Sequence, residues 1–329
     1  MTTTITSNRT KSTRAPLFDT KLLIGLLVVL ALLAVSLLTG EYDIFGKSDG
    51  SQMFANTRIP RTIALVLAGA AMAMSGLVMQ MLTQNKFVEP TTTGTTEWAG
   101  LGLLFMLFFF PASTVLQQMM AAVFFAFIGS MVFFLFLRRV SLRSSLIVPI
   151  VGIMLGAVVS SVSTFFALQT NLLQNLGVWF AGSFTSVIRG QYEVLWIVLA
   201  VVAVIFWYAD RLTAAGLGEE FATNVGLNYA RIMLIGTVLI AVATGVVTVV
   251  VGSLPFLGLI VPNMVSIFRG DDLRSNLPWV ALTGVGVVTV CDLVGRLIIA
   301  PFEIPVSVIL GIVGALVFIF LIMRGRRRV

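Results

Sequence analysis

An all-α, polytopic membrane protein of about ten transmembrane helices is the fold class this sequence predicts, and three observations lead to it. Of its 329 residues, 58% are hydrophobic and 11% charged, where soluble domains carry roughly a quarter charged residues. Mean hydropathy is +1.04. The apolar residues also separate into ten stretches, at about 22–38, 61–82, 96–110, 115–137, 146–168, 193–208, 232–251, 254–268, 278–298 and 305–323. Most approach the ~20 residues that cross ~30 Å of hydrocarbon as helix; the third and eighth are short. No remaining loop can hold a soluble catalytic domain. The domain organisation expected is an N-terminal tail at 1–21, one ten-helix membrane domain at 22–323 and a basic tail at 324–329.

The first stretch follows Arg9, Lys11, Arg14 and Lys21, and no small-x-small cleavage site precedes Gly40-Glu41, so it reads as a retained span. Ten spans put both termini on one side, and the Lys/Arg distribution chooses the side. With cytoplasmic termini the inner set is Arg9, Lys11, Arg14, Lys21, Lys86, Arg138, Arg139, Arg143, Arg211, Arg231, Arg269, Arg274, Arg324, Arg326, Arg327 and Arg328, sixteen of the 21 Lys and Arg residues. Lys47, Arg58, Arg61, Arg189 and Arg296 remain outside. Anionic headgroups on the inner face account for the net charge of +7 without a nucleic-acid partner.

Between the first two stretches, Gly46-Lys47-Ser48 resembles the end of a phosphate-binding loop, but the position needing glycine five residues before Gly46 is Glu41. The chain carries no ATP site of its own. The second stretch opens Arg58-Ile59-Pro60-Arg61, two outward arginines against the charge bias. It continues through Gly69, Ala70, Ala71, Ala73, Ser75 and Gly76, and small pairs recur at Gly152/Gly156, Gly284/Gly286 and Gly311/Gly314. Such residues allow close helix contact, within one subunit or at a dimer seam. Met72, Met74 and Met79 read as core filler.

Residues 85–98, NKFVEPTTTGTTEW, carry five threonines into the short third stretch. They form either a solvated cytoplasmic loop or a pathway lining, since irregular backbone at membrane depth must be buried in protein or face water. The inner loop 215–227, AGLGEEFATNVGL, places Glu219 and Glu220 where negative charge suits a helix start, and Gly226 where it suits the end. A surface turn and a docking helix for a cytoplasmic partner both fit. Cys291, in the ninth stretch, is the single cysteine and reads as a packing residue. The chain has no histidine and almost no acidic residue inside its apolar stretches, which argues against a metal-ion permease or a proton-driven pump and for a conduit moving a large solute.

Three stretches together resemble the permeases of the iron-chelate and cobalamin ABC importers, the FecCD-type family. They are Arg58 to Arg61 with the run Gly69 to Gly76, Asn85 to Gly94, and Gly252 to Pro262 (GSLPFLGLIVP) continuing to Asp292, Arg296 and Pro305. The resemblance implies a type II ABC importer permease in the bacterial cytoplasmic membrane. Two permease subunits, identical or paired, would surround one path, with two cytoplasmic ABC ATPase subunits holding ATP and magnesium and an extracytoplasmic siderophore-binding protein. It implies no cofactor, metal or catalytic residue in this chain.

The resemblance also assigns roles. Gly218, Glu219, Glu220, Ala222 and Gly226 look like the ATPase coupling segment; Glu220 to Gly226 is similar to the importer pattern E-A-A-x-x-x-G, with Phe221 departing from it. Asn85 and Phe87 fall where the cytoplasmic gate loop lies, with Thr91, Thr92 and Thr93 beside it, and Ser144 and Ser145 near a second gate. Arg58, Arg61 and Arg296 match positions that receive acidic residues of the binding protein, headgroup anchoring being the alternative. Asp292, four residues before Arg296, would pair with it along a helix. Asn263 stands where many members have histidine, and the threonine-rich run is most similar to the branch serving catecholate-type ferric siderophores. A ferric siderophore is therefore the expected cargo, with cobalamin or haem carried by the same machine as the alternative, and an ion-coupled secondary transporter as the rival of another class.

Overall fold

The computed structural model describes residues 20–40, 49–139, 146–270 and 272–325. In chain order the helices are α1 (Thr20–Leu38), α2 (Gly50–Met53), α3 (Ile59–Thr83), α4 (Thr95–Phe109), α5 (Val115–Arg139), α6 (Ile147–Gln169), α7 (Leu173–Phe180), α8 (Ile197–Gly216), α9 (Glu219–Asn224), α10 (Tyr229–Val250), α11 (Leu257–Arg269), α12 (Leu273–Leu297) and α13 (Val306–Gly325). Among the described residues all regular structure is helical. Seven helices, counting α3 with α2 and the turns before it, are long and apolar enough to cross a membrane, and α4, α11 and α13 are shorter apolar helices. Each of the ten apolar stretches read from the sequence lies on one of these ten.

Two differences from the sequence reading have local causes. The second span does not begin at residue 61: Phe54–Arg58 run as π-helix straight into α3. Pro60 sits in the first turn of α3, where its missing N–H leaves no bond unmade. Helix α7 was not anticipated, because eight residues between two turns are too short for a hydropathy window to separate from a loop.

α3 lies at the centre of the bundle, with 78% of its most apolar window buried, against 17% for α1 at the periphery. Its glycines set how closely neighbours approach. A Cβ on Gly76 would lie 2.2 Å from the Gly258 Cα of α11, and one on Gly69 would lie 2.9 Å from the Val285 Cα of α12. Gly152 of α6 faces the backbone of Thr92 and Thr93, and Gly156 faces Gly94. These small residues pack the inside of one subunit. Gly311 differs, meeting nothing within 4 Å.

α4 and α11 have 15 and 13 residues, roughly 20 Å of helix each at ~1.5 Å per residue. Each starts part-way through the bundle, and irregular backbone at 84–94 and 251–256 completes the passage. Inside α11, Pro262 cannot donate to the Gly258 carbonyl one turn back. The Gln80 side-chain amide of α3 donates to that carbonyl instead, at 3.2 Å, satisfying a group that hydrocarbon would leave unpaired.

Candidate functional site

The predicted site residues fall at three levels of the bundle. At one end, Arg58 Nη1 donates to the Leu38 carbonyl at 3.0 Å and Nη2 to that of Gly40 at 3.4 Å. Arg296 Nη1 donates to the carbonyls of Thr39 at 2.9 Å and Ser36 at 3.1 Å, and its Nη2 to Ser36 Oγ. Both arginines thereby hold the carbonyl end of α1, where a helix leaves acceptors unpaired and its dipole favours a cation. Arg61 Nη1 and Nη2 donate to the two oxygens of Glu303, at 3.0 and 2.9 Å, and Nη2 donates also to Asp292 Oδ1 at 2.7 Å. Asp292 has a fully buried side chain and pairs with Arg296 at 2.8 Å, the i,i+4 ion pair the spacing predicted. The Arg296 side chain is 6% exposed and that of Arg61 15%. Arg296, grouped with Arg58 and Arg61 in the sequence reading, turns its terminal nitrogens inward to α1 and Asp292, whereas Arg58 and Arg61 are partly exposed.

Glu303, in the loop between α12 and α13, also accepts from Thr185 Oγ1 at 2.5 Å. Partial burial pushes its carboxyl up, but the hydrogen bonds from Arg61 and Thr185 outweigh this and hold it below the ordinary carboxylate value.

At mid-level, the 84–94 segment is not a solvated loop. Asn85, Glu89, Thr92 and Thr93 are buried, and the threonine hydroxyls bond locally: Thr92 accepts from the Glu89 N–H, Thr93 donates to the Pro90 carbonyl, and Thr95 meets Ser130 of α5 at 3.1 Å. Asn85 Oδ1 accepts from the Phe87 N–H at 2.9 Å, an Asx turn that presents Phe87 to Phe318 of α13, ring centroids 5.9 Å apart. Asn263 Nδ2 donates to the Lys86 carbonyl at 2.7 Å, tying α11 to the same segment. Glu89 completes the joint. Its Oε1 accepts from the Phe256 N–H at 2.6 Å and from Thr91 Oγ1 at 2.5 Å, at the N-terminus of α11. Ser144 and Ser145 lie outside the described residues.

At the other end, Gly218 precedes α9 with φ +111°, a value that favours glycine. Glu219 and Glu220 occupy its first turn, and Ala222 is buried. Its end is closed by the pair Leu227 N–H to Ala222 carbonyl and Gly226 N–H to Thr223 carbonyl, with Gly226 at φ +80°. Leu217, Phe221 and Val225 leave an exposed apolar surface. Gly216 packs on Met81 and Gly218 approaches Gln84, so this helix sits directly under the start of the mid-level segment. A cavity of about 180 Å³ opens beside it, lined in part by Gln80, Lys86, Asn263, Ser266 and Asn276.

Sequence reading missed Glu89, Glu303, Thr185 and Gln80. A carboxylate directly before Pro90 and the threonine run was the available signal for Glu89. An acidic residue in the loop facing the outward arginines was the signal for Glu303.

The profile of the FecCD transport family matches residues 21–324. The chain is 61% identical over 305 residues to the petrobactin import system permease protein FatD of Bacillus anthracis, spanning 93% of this chain and 91% of that one. It is 42% identical over 306 residues to the petrobactin import system permease protein YclN of Bacillus subtilis strain 168, spanning 92% and 96%. Among solved structures, a metal-chelate type ABC transporter in an inward-facing conformation shares the fold, with a TM-score of 0.79 at 24% identity over 93% of this chain and all of that one. A family match over nearly the whole sequence, on a multi-pass helical bundle, establishes that the chain belongs to the FecCD transport family, as a transport subunit rather than an enzyme.

Proposed function

We propose that this chain is the permease subunit of an ABC importer carrying a ferric siderophore across the bacterial cytoplasmic membrane, with both termini inside. The observation that carries this reading is the 61% and 42% identity to two petrobactin import permeases over more than nine-tenths of the chain. A second permease subunit and two ATPases complete the machine, and an extracytoplasmic binding protein delivers the cargo. ATP and magnesium belong to the ATPases. Uptake of iron-loaded petrobactin by cells lacking the gene tests the reading: restoring the gene should restore uptake, and uptake of cobalamin instead would favour the alternative cargo. Absence of an ATPase from the purified complex would favour a secondary transporter.

The exposed apolar side of α9 supports docking of an ATPase there, with Glu219 and Glu220 at its rim. Changing both glutamates to lysine should cut transport at least about tenfold, the effect of losing ~1.4 kcal/mol at a docking contact. Capture of the binding protein should be unchanged. Wild-type uptake together with wild-type ATPase stimulation would remove the coupling role.

Arg58 and Arg61 support docking of an acidic binding protein at the other end, with Arg296 acting behind them. Because Arg61 balances the buried Asp292, neutral glutamine is a cleaner probe than a reversed charge. Partly desolvated interfacial charge pairs contribute on the order of 1.5 kcal/mol or more. Arg58→Gln with Arg61→Gln should therefore weaken the complex about tenfold and flatten its salt dependence. Unchanged affinity at every salt concentration would make these residues headgroup anchors.

A further inference from the structure

Arg61 already has a carboxylate in place. Arg61 and Arg296 face Asp292 and Glu303, two cations against two anions, so this cluster carries no net charge with which to attract an acidic partner. The two carboxylates differ in how they are held. Asp292 is fully buried between both arginines, and moving it would strand Arg296 in the interior without a counter-ion. The Glu303 side chain is 30% exposed and stands in the turn at 298–305, beside Phe302, which is 74% exposed. It takes one N–H from each terminal nitrogen of Arg61, the same fork that a carboxylate arriving from another protein would need.

We infer that Glu303 is a built-in stand-in for the binding protein's carboxylate, and that docking exchanges one acidic group for the other on Arg61. The inference rests on the docking role proposed above for this arginine. The exchange keeps Arg61 paired throughout and leaves Asp292 and Arg296 undisturbed. It also frees Glu303 from Thr185, three residues before α13 begins. α13 is the helix whose Phe318 packs on Phe87 and whose Gly314 packs on Phe256, at the mid-level joint. The residue that docking releases is therefore attached to the root of the helix that reaches the gate segment.

The exchange predicts opposite effects from the two ends of one ion pair. With the permease and its ATPases in nanodiscs without nucleotide, the affinity of petrobactin-loaded binding protein is measured for the native complex, Arg61→Gln, Glu303→Gln and the double variant. Glu303→Gln should tighten binding about threefold to fivefold, the worth of releasing one partly exposed ion pair, and Arg61→Gln should weaken it. The double variant should match Arg61→Gln alone, since without the arginine there is nothing to unmask. Thr185→Val, which removes one of the groups holding Glu303, should shift affinity in the same direction as Glu303→Gln by less, and keeps the test available if Glu303→Gln does not assemble. Weaker binding by Arg61→Gln with unchanged or weaker binding by Glu303→Gln would overturn the stand-in and leave the docking role intact. Unchanged binding by Arg61→Gln would overturn both.

Discussion

Valine at Gly76 is expected to leave almost no folded protein in the membrane. Its Cβ would lie 2.2 Å from both the Cα and the carbonyl oxygen of Gly258, closer than any non-bonded carbon contact. Both obstacles are backbone, so no side chain can rotate away. Overpacking a core with yielding side chains costs about 1–3 kcal/mol; here α3 and α11 must move apart as rigid bodies, and the cost should exceed that range. Separation would also break the Gln80 bond to the Gly258 carbonyl, exposing the acceptor that Pro262 leaves unpaired. Association of helices in hydrocarbon depends on this kind of close backbone approach. Gly177→Ala supplies the contrast, because a Cβ there meets nothing within 4 Å. Detergent-solubilised yield and melting temperature should fall sharply for Gly76→Val and stay native for Gly177→Ala. A native melting temperature for Gly76→Val would show that the helices do not cross at these glycines.

What hydropathy could reveal was the set of spans, because crossing a bilayer imposes a length on each apolar run and the constraint is local in sequence. The brevity of the third and eighth stretches was visible for the same reason, and it marks α4 and α11, the two helices that begin inside the bundle. The Asp292–Arg296 pair was legible from a four-residue spacing. The pairing of Arg61 with Asp292 and Glu303 was not, since its partners stand 231 and 242 residues away and nothing in a single chain's spacing encodes that contact. Arg58, Arg61 and Arg296 stood out in the sequence against the charge bias, but the burial of Arg296 was not legible there, because it depends on carbonyls contributed by α1. The same limit applies to Gln80, whose role exists only because Pro262 of another helix frees a carbonyl.

The threonine run left open whether 84–94 was solvated or buried. The structure leaves Gln84 and Lys86 exposed and buries most of the segment from Val88 to Gly94, where Glu89 serves as an anchor rather than as part of a polar surface. Hydroxyls can satisfy one another within a turn, as Thr93 and Thr95 do at 3.0 Å. The free N–H groups that begin a helix need an acceptor from elsewhere.

Replacing Glu89 should abolish transport. Its side chain has no solvent exposure and reaches from the 84–94 segment to the first N–H groups of α11, accepting from Phe256 at 2.6 Å. A carboxyl oxygen is well suited there as an acceptor, because the N-terminal end of a half-helix carries partial positive charge. Phe256 has φ +63°, a conformation a phenylalanine adopts only when its surroundings impose it. Alanine at position 89 would leave the Phe256 N–H without its partner in a dry site and would empty the space between the two segments. The buried orphan alone costs about 1–3 kcal/mol. Glutamine has the right shape but presents an amide in place of one acceptor oxygen, so it should recover part of the lost stability and little transport. The expected order is native, then Glu89→Gln, then Glu89→Ala in melting temperature, with uptake by vesicles lost in both variants. Docking of the binding protein, proposed above for the distant arginine end, should persist in Glu89→Gln. Native uptake by Glu89→Ala with an unchanged melting temperature would mean that the 84–94 segment is not held to α11 by this carboxylate.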